Sequence, residues 1–321
     1  MPIVVNSNAS ATSASYNLSK ANNSLRNSLA RLSSGNKINS PADDAGGLAV
    51  AYKLNSKLNR TSAVIQNAQN GLSYLQVQDA GLQTVGKVLD RMAELRTMAQ
   101  DITKNSGDIE NYSKEFVELQ SQLQQVKQEK FNGISLFSQE QTAAATGSLT
   151  ETSVTVDGST YDKFGRTLIT HSDGEAASGS ISLNVVNLQF VLSVGTLAVN
   201  TAGTSKDLAG FDNGTAGSNG INANGFISDI LDVNVSQFTQ AIERIADMRA
   251  ENGAEQNRVL NSIDLLQTNM TNLEAAHGRI MDTDIALEST RFARHNVLVQ
   301  ASAAMTAQAN QLTNVALQLL G

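Results

Sequence analysis

Residues 31–50, RLSSGNKINSPADDAGGLAV, set paired carboxylates (Asp43, Asp44) just before paired glycines (Gly46, Gly47). Two chemistries use such residues. A glycine-rich loop can cradle a phosphate on its backbone N–H groups, and adjacent acids can ligate a hard cation. The phosphate cradle needs a strand before the glycines and a closing Lys-Ser/Thr. Here no strand pattern precedes them, and Leu48 and Ala49 follow. The cation site fails on geometry, because neighbouring acids on a helix point about 100° apart and no further acid stands nearby.

The other reactive residue types are equally unassembled. His171, His277 and His295 are scattered, no His-Glu-x-x-His occurs, and the chain holds 0 cysteines. His277 falls on an apolar helical stripe, where a packed side chain is expected rather than a ligand. DNGTAGSNG (212–220) lacks the spacing and terminal Glu of a calcium loop, and no Gly-x-Ser-x-Gly elbow is present. The sequence therefore predicts no catalytic site, no metal and no cofactor.

What the opening stretch does support is a joint between helices. Gly35 ends one apolar stripe where a left-handed residue is wanted. Ser40 is the expected N-cap, with Pro41 in the first helical position and Asp43 and Asp44 in a first turn that favours acids. The joint consists of Gly35, Ser40, Pro41, Asp43 and Asp44.

The elements on either side carry long helical patterns. Ala14, Leu18, Ala21, Leu25, Leu29 and Leu32 form one amphipathic seam, and Leu298, Met305, Leu312 and Leu319 recur at strict seven-residue intervals near the other end. Narrow stripes of this kind predict two helices that pair as a coiled coil. Leu298, Met305, Leu312 and Leu319, facing Leu18, Leu25, Leu29 and Leu32 and neighbouring copies of the chain, are with them the predicted assembly seam. So few large side chains cannot offset the entropy of ordering, so each end is expected to stay unfolded until something packs on it.

Three further stripes lie between. They are Ile65, Ala68, Leu72, Leu75, Leu82, Val85, Leu89 and Met92; Ile109, Tyr112, Phe116, Leu119, Leu123 and Val126; and one from Val235 through Ile245 and Met248 to Leu260, Ile263, Leu266 and Ile280. Residues 138–234 differ in kind, with 12 of the 23 glycines and Lys163, Arg166 and Lys206 as the only bases. VTVDGSTY (154–161) reads as a hairpin around Asp-Gly. ISLNVVNLQFVLSV (181–194) alternates twice, and the phase change at Val185-Val186 predicts a bulge or a switch of sheet face. The fold class is mainly α with a β-rich insertion.

Composition agrees. Aromatics are 4% with no Trp, so burial rests on Leu, Ile, Val, Met and Ala. A formal net charge of −7 argues against nucleic acid as a partner. No apolar run reaches the roughly 18 residues of a membrane span. MPIVV is too short for the apolar centre of a cleavable signal, so any export is expected to take another route.

RLSSGNKINSPADDAGGLAV resembles the bacterial flagellin signature, and QNAQNGLSYLQVQDAGLQTV (66–85) and KFNGISLF (130–137) resemble its next blocks. GAEQNRVLNSIDLLQTNMTNLEAAHGRIMDTDIALEST (253–290) and QANQLTNVALQLLG (308–321) are similar to its C-terminal signature. The likeness covers about residues 1–137 and 235–321. It implies a structural subunit, not an enzyme, that is exported unfolded through the flagellar secretion channel and polymerises into the helical filament for swimming. The implied division is 1–44, an N-terminal coiled-coil segment of an inner tube; 45–180, rod domain with a β-hairpin region; 181–230, a variable solvent-exposed insertion; 231–284, the C-terminal rod helix; and 285–321, the C-terminal coiled-coil segment.

The implied partners are further copies of the chain, an export chaperone on the C-terminal helices, and the filament cap and hook–filament junction proteins. LDRMAELRTM (89–98) resembles the stretch by which Toll-like receptor 5 recognises family members. Arg91, Glu94 and Leu95 match there as candidate receptor contacts, while Ala93 and Met98 depart from the pattern and leave recognition open. The alternative reading is a hook–filament junction protein, which shares the terminal helical pattern.

Overall fold

A computed structural model describes residues 8–137, 149–156, 159–194, 206–207 and 226–318. Among the described residues five long helices dominate: α1 (Ala9–Ser34), α2 (Ala45–Ala99), α3 (Ser106–Lys127), α5 (Val235–Met281) and α6 (Ile285–Gln318). Between α3 and α5 lie β1 (Lys130–Phe131), β2 (Ile134–Ser135), β3 (Leu149–Val156), β4 (Ser159–Ile169), β5 (Ser180–Val185), the short helix α4 (Leu188–Leu192), β6 (Ser193–Val194) and β7 (Lys206–Asp207). The mainly α class with a β insertion holds. The chain forms two compact units, residues 1–59 with 269–321, and residues 60–268.

In the larger unit the apolar stripes pack as the spacing requires. Leu75, Leu82, Leu89, Met92 and Leu95 of α2, Phe116 and Leu123 of α3, and Phe238 of α5 are completely or almost completely buried. The Phe116 and Phe238 rings meet edge to face at 6.2 Å, a favoured aromatic geometry. On α5 the predicted stripe is buried at Phe238, Ile245, Ile263 and Leu266, and shifts by one position only locally. Val259 is fully buried while Leu260 is 45% exposed. The seam crosses the gap between Ile245 and Val259 through Asn252, which is buried and donates from Nδ2 to Gln78 Oε1 of α2 at 2.7 Å. A paired amide can occupy a core position because both partners are satisfied.

The β1–β2 hairpin turns on Asn132 (φ 49°) and Gly133 (φ 77°), the left-handed pair that a two-residue turn of this hand demands. After it, Phe137 is fully buried against Gly81 of α2, where a Cβ would stand 2.8 Å from the ring. The expected Asp-Gly hairpin is present: β3 pairs antiparallel with β4 from Leu149 opposite Arg166 to Val156 opposite Ser159. Asp157 and Gly158 themselves lie outside the described residues. β5 extends the sheet on the far side of β4.

The double alternation over 181–194 is corrected. Only β5 is a strand of the sheet, and Val186 forms one parallel bridge with Phe137. The chain then turns into α4, whose Leu188, Val191 and Leu192 are all fully buried. Their i, i+3, i+4 spacing fits one helical face as well as their neighbours fit alternation, and burial of that face decided the matter. Solvent exposure expected across 181–230 is likewise not found at its ends, since Ile181, Leu183, Val185, Ile227 and Ile230 are buried too.

Candidate assembly surface

The joint between α1 and α2 is built by backbone and short polar side chains. Gly35 takes the expected left-handed conformation (φ 73°) and its N–H returns to the Arg31 carbonyl at 2.9 Å. Past it, Lys37 N–H donates to the Met281 carbonyl at 2.6 Å, and Thr283 N–H donates to the Gly35 carbonyl at 2.9 Å. This ties the joint antiparallel to a second one, residues 282–284, between α5 and α6. Ile38 is buried beneath it.

Ser40 and Pro41 do not begin α2, which starts at Ala45. Asp43 Oδ2 instead accepts from the backbone N–H groups of Ser40 (3.0 Å) and Asn39 (3.2 Å), closing a separate turn. These bonds, with Arg31 nearby, hold its carboxyl below the usual carboxylate range. The cap of α2 is Asp44, whose Oδ1 accepts from Gly47 N–H at 2.9 Å. Proline pulled the expected start forward, but two adjacent acids allow two successive turns, and the second acid is the one in cap position. A Cβ on Gly47 would collide with Asp44 and Ile38, so the glycine serves close packing rather than a phosphate. Asp284 repeats the device on α6, accepting from Ala286 N–H (3.0 Å) and Leu287 N–H (3.1 Å).

α1 and α6 pack against each other, antiparallel. Asn8 Nδ2 donates to the Ala309 carbonyl at 2.8 Å at one end, and the Gly35–Thr283 bond closes the other. The side of α1 turned inward is Ala11, Ala14, Leu18, Ala21, Leu25, Ser28 and Leu32, spaced alternately by three and four. Leu18, Leu25 and Leu32 thus lie on the seam, and Leu29, 54% exposed, does not.

On α6 the inward side is Glu288, Phe292, His295, Val299, Ser302, Thr306 and Ala309, again spaced by three and four. The stripe chosen from seven-residue spacing is therefore corrected as the partner of α1. Leu298 (46% exposed) and Met305 (62%) each sit one position, about 100° of helix, before the inward Val299 and Thr306. The side chain of Leu312 and all of Leu319 lie outside the described residues. The inward side of α6 mixes short side chains (Ser302, Thr306, Ala309) with long ones (Glu288, Phe292, His295), and that of α1 mixes alanines with Leu18, Leu25 and Leu32. Tyr16 (70%), Val297 (63%), Ile285 (65%) and Leu287 (51%) are exposed on the same two helices. Large exposed apolar side chains become an interaction surface where they gather into a contiguous patch.

Of the candidate receptor contacts, Arg91 and Glu94 are at the surface. Arg91 bonds Glu94 at 2.7 Å and Glu115 of α3 at 2.7 Å. Leu95 is fully buried in the larger unit, so it is no surface contact; the i, i+3, i+6 stripe of Leu89, Met92 and Leu95 carries it into the core.

Sequence reasoning passed over the buried polar residues that bind backbone. Gln78 Nε2 donates to the carbonyls of Leu136 (2.8 Å) and Asn184 (3.0 Å). Gln120 of α3 holds Ile227 as a strand would, its Nε2 donating to the carbonyl at 2.8 Å and its Oε1 accepting from the N–H at 2.9 Å. The Ser113 hydroxyl takes the N–H of Ile230 at 3.3 Å, and buried Arg96 donates to the carbonyls of Val233 and Leu231. The available signal was a polar residue standing on a helical stripe: Gln120 follows Phe116 by four and precedes Leu123 by three.

Among the described residues no helix is long and apolar enough to cross a membrane, and no group of three or more His, Asp or Glu side chains could hold a metal ion. Residues 5–142 match the bacterial flagellin N-terminal helical region, and residues 235–320 the bacterial flagellin C-terminal helical region. The chain is 30% identical over 324 residues to the flagellin of Bacillus subtilis strain 168, covering 98% of this chain and 99% of that one. It is 29% identical over 326 residues to the flagellar filament 33 kDa core protein of Treponema phagedenis, covering 99% and 100%.

Proposed function

The chain belongs to the bacterial flagellin family and is a structural subunit of the flagellar filament; from that premise we propose that copies assemble through the outward apolar side of the α1–α6 pair. The observation that carries this is the inversion on α6: Leu298 and Met305, the described members of its seven-residue apolar stripe, stand outside the side that faces α1. A monomer gains nothing by that arrangement. A polymer does, because each copy covers the stripe of the next, and contacts of this head-to-tail kind extend into a helix instead of closing.

On this reading residues 1–44 and 285–321 form the inner layer of the filament, 45–180 and 231–284 the rod around it, and the middle faces outward. The subunit is exported unfolded and works outside the cell. An export chaperone covers the same α6 stripe before assembly, as amphipathic helices are held in grooves. The filament cap and the hook–filament junction proteins meet the two ends of the polymer, and Arg91 and Glu94 are the surface groups left to an innate receptor. Purified protein added to short filament seeds should elongate them, seen by negative stain. Seeds that bind one layer and stop growing would favour a junction protein instead.

A further inference from the structure

The chain holds no cysteine, so its thioethers are the side chains that a peroxide oxidises most readily. The methionines differ in how far a reagent can reach them. Met92 is completely buried in the larger unit, and Met98, Met248, Met270 and Met281 are half-buried. Met305 of α6 is 62% exposed, and no other methionine among the described residues is exposed. Of its four neighbours one turn away on the helix, Ala301, Ser302 and Ala309 are too short to cover the sulfur, and Gln308 is itself exposed. An end of the chain that has not folded would leave the thioether at least as open.

The position matters as much as the exposure. Met305 belongs to the seven-residue series Leu298, Met305, Leu312 and Leu319, and it is the only member that oxidation can change. A hydroperoxide reacts at the sulfur lone pair: an S–O bond forms, the O–O bond breaks, and the departing oxygen takes up a proton to leave as water or an alcohol. The sulfur gives up two electrons and the peroxide gains them. The product, methionine sulfoxide, sets a strongly polar oxygen on what was a flexible apolar side chain. Covering that oxygen with the apolar surface of a neighbour is costly.

We propose that Met305 is an oxidation site that governs whether a free subunit can join the polymer, its sulfoxide form being refused at the filament end. This rests on the reading that the outward stripe of α6 lies between copies. On that reading the contact that needs the thioether also shields it once made, so subunits are sensitive to peroxide and finished filaments are not. The change is reversible, because methionine sulfoxide reductases, one for each sulfoxide epimer, return the thioether.

The test uses full-length protein and hydrogen peroxide, at a dose where peptide mass spectrometry finds an added oxygen on Met305 and none on Met92. Seeded elongation is then followed by sedimentation over a dilution series, each sample being compared with its own untreated counterpart. Treated parent should show a critical concentration raised at least tenfold, and incubation with both reductases should restore it. Met305→Leu, which has no thioether at that place, should change less than threefold on treatment. Equal loss in Met305→Leu would overturn the proposal, as would a treated parent that elongates within threefold of its counterpart with Met305 fully oxidised. Met305 should also oxidise at least tenfold more slowly in filaments than in free subunits. Equal rates in the two, with elongation lost in the treated parent and kept in Met305→Leu, would count against the assembly surface and leave the oxidation block standing.

Discussion

Truncating the outward stripe separates assembly from folding. Leu298 retains 46% and Met305 62% of its exposure in the single chain. Full burial of a Leu or Met side chain contributes about 1.5–3 kcal/mol, so the parts still exposed leave about 1 kcal/mol at Leu298 and about 1.5 kcal/mol at Met305 to be gained on contact. Together that is about 2.5 kcal/mol per copy, and at 1.4 kcal/mol per tenfold it corresponds to a critical concentration raised roughly sixtyfold. The double variant Leu298→Ala/Met305→Ala should show this rise in seeded elongation, measured by sedimentation over a dilution series. Its circular dichroism should match the parent, since both side chains stand outside the inward series of α6 and keep much of their exposure. Gln311→Ala, exposed on the same helix, serves as the comparison and should elongate normally. A critical concentration within threefold of the parent would refute the assignment of this stripe to assembly. Loss of helix in the double variant would refute the claim that the stripe stands outside the α1–α6 seam.

Gln120→Leu removes both partners of the buried Ile227 backbone and should destabilise the larger unit by about 2–5 kcal/mol, read from urea unfolding with α3 and the 226–233 segment losing protection from hydrogen exchange together. Gly81→Leu drives a side chain into the Phe137 ring and should cost about 1–3 kcal/mol, a few degrees in melting temperature, whereas Gly253→Ala, with open space around its Cβ position, should be neutral or stabilising. At Glu288 burial raises the carboxyl, but the Ser28 hydroxyl, Arg291 and Arg31 outweigh it and hold the group below its ordinary value. A depressed carboxylate contributes stability above its unfolded value, about 4.3, and that contribution is lost as pH falls through the lower folded value. Thermal stability of the assembled protein should therefore fall in acid, and Glu288→Gln should flatten that part of the profile; an equal acid response in both would show that other groups carry it.

The class of the protein was legible in the sequence because helical period, caps and the lack of reactive clusters are local properties. Spacings of three and four marked α1, α2, α3 and α5. Gly35 marked the end of α1, and Asp157-Gly158 between alternating residues marked the β3–β4 hairpin. The break before Ile285 and the family signature at both ends were equally plain. What the sequence left undetermined was which face meets which. On α6 two stripes stand about 100° apart, and the more apolar one looked like the seam. In the fold Phe292, Val299, Ser302, Thr306 and Ala309 turn inward while Leu298 and Met305 stay largely exposed, a choice that apolarity and size along the chain do not dictate. The same holds at Leu188, Val191 and Leu192, where both periods fit and burial selected the helix. It holds also at Asn252, Gln78 and Gln120, polar residues that the core accepts because their partners, 174 and 107 residues away in sequence, satisfy them. Periodicity is set by neighbours along the chain, whereas the identity of the buried face is set by the surface that arrives from elsewhere, and only the folded arrangement specifies that surface.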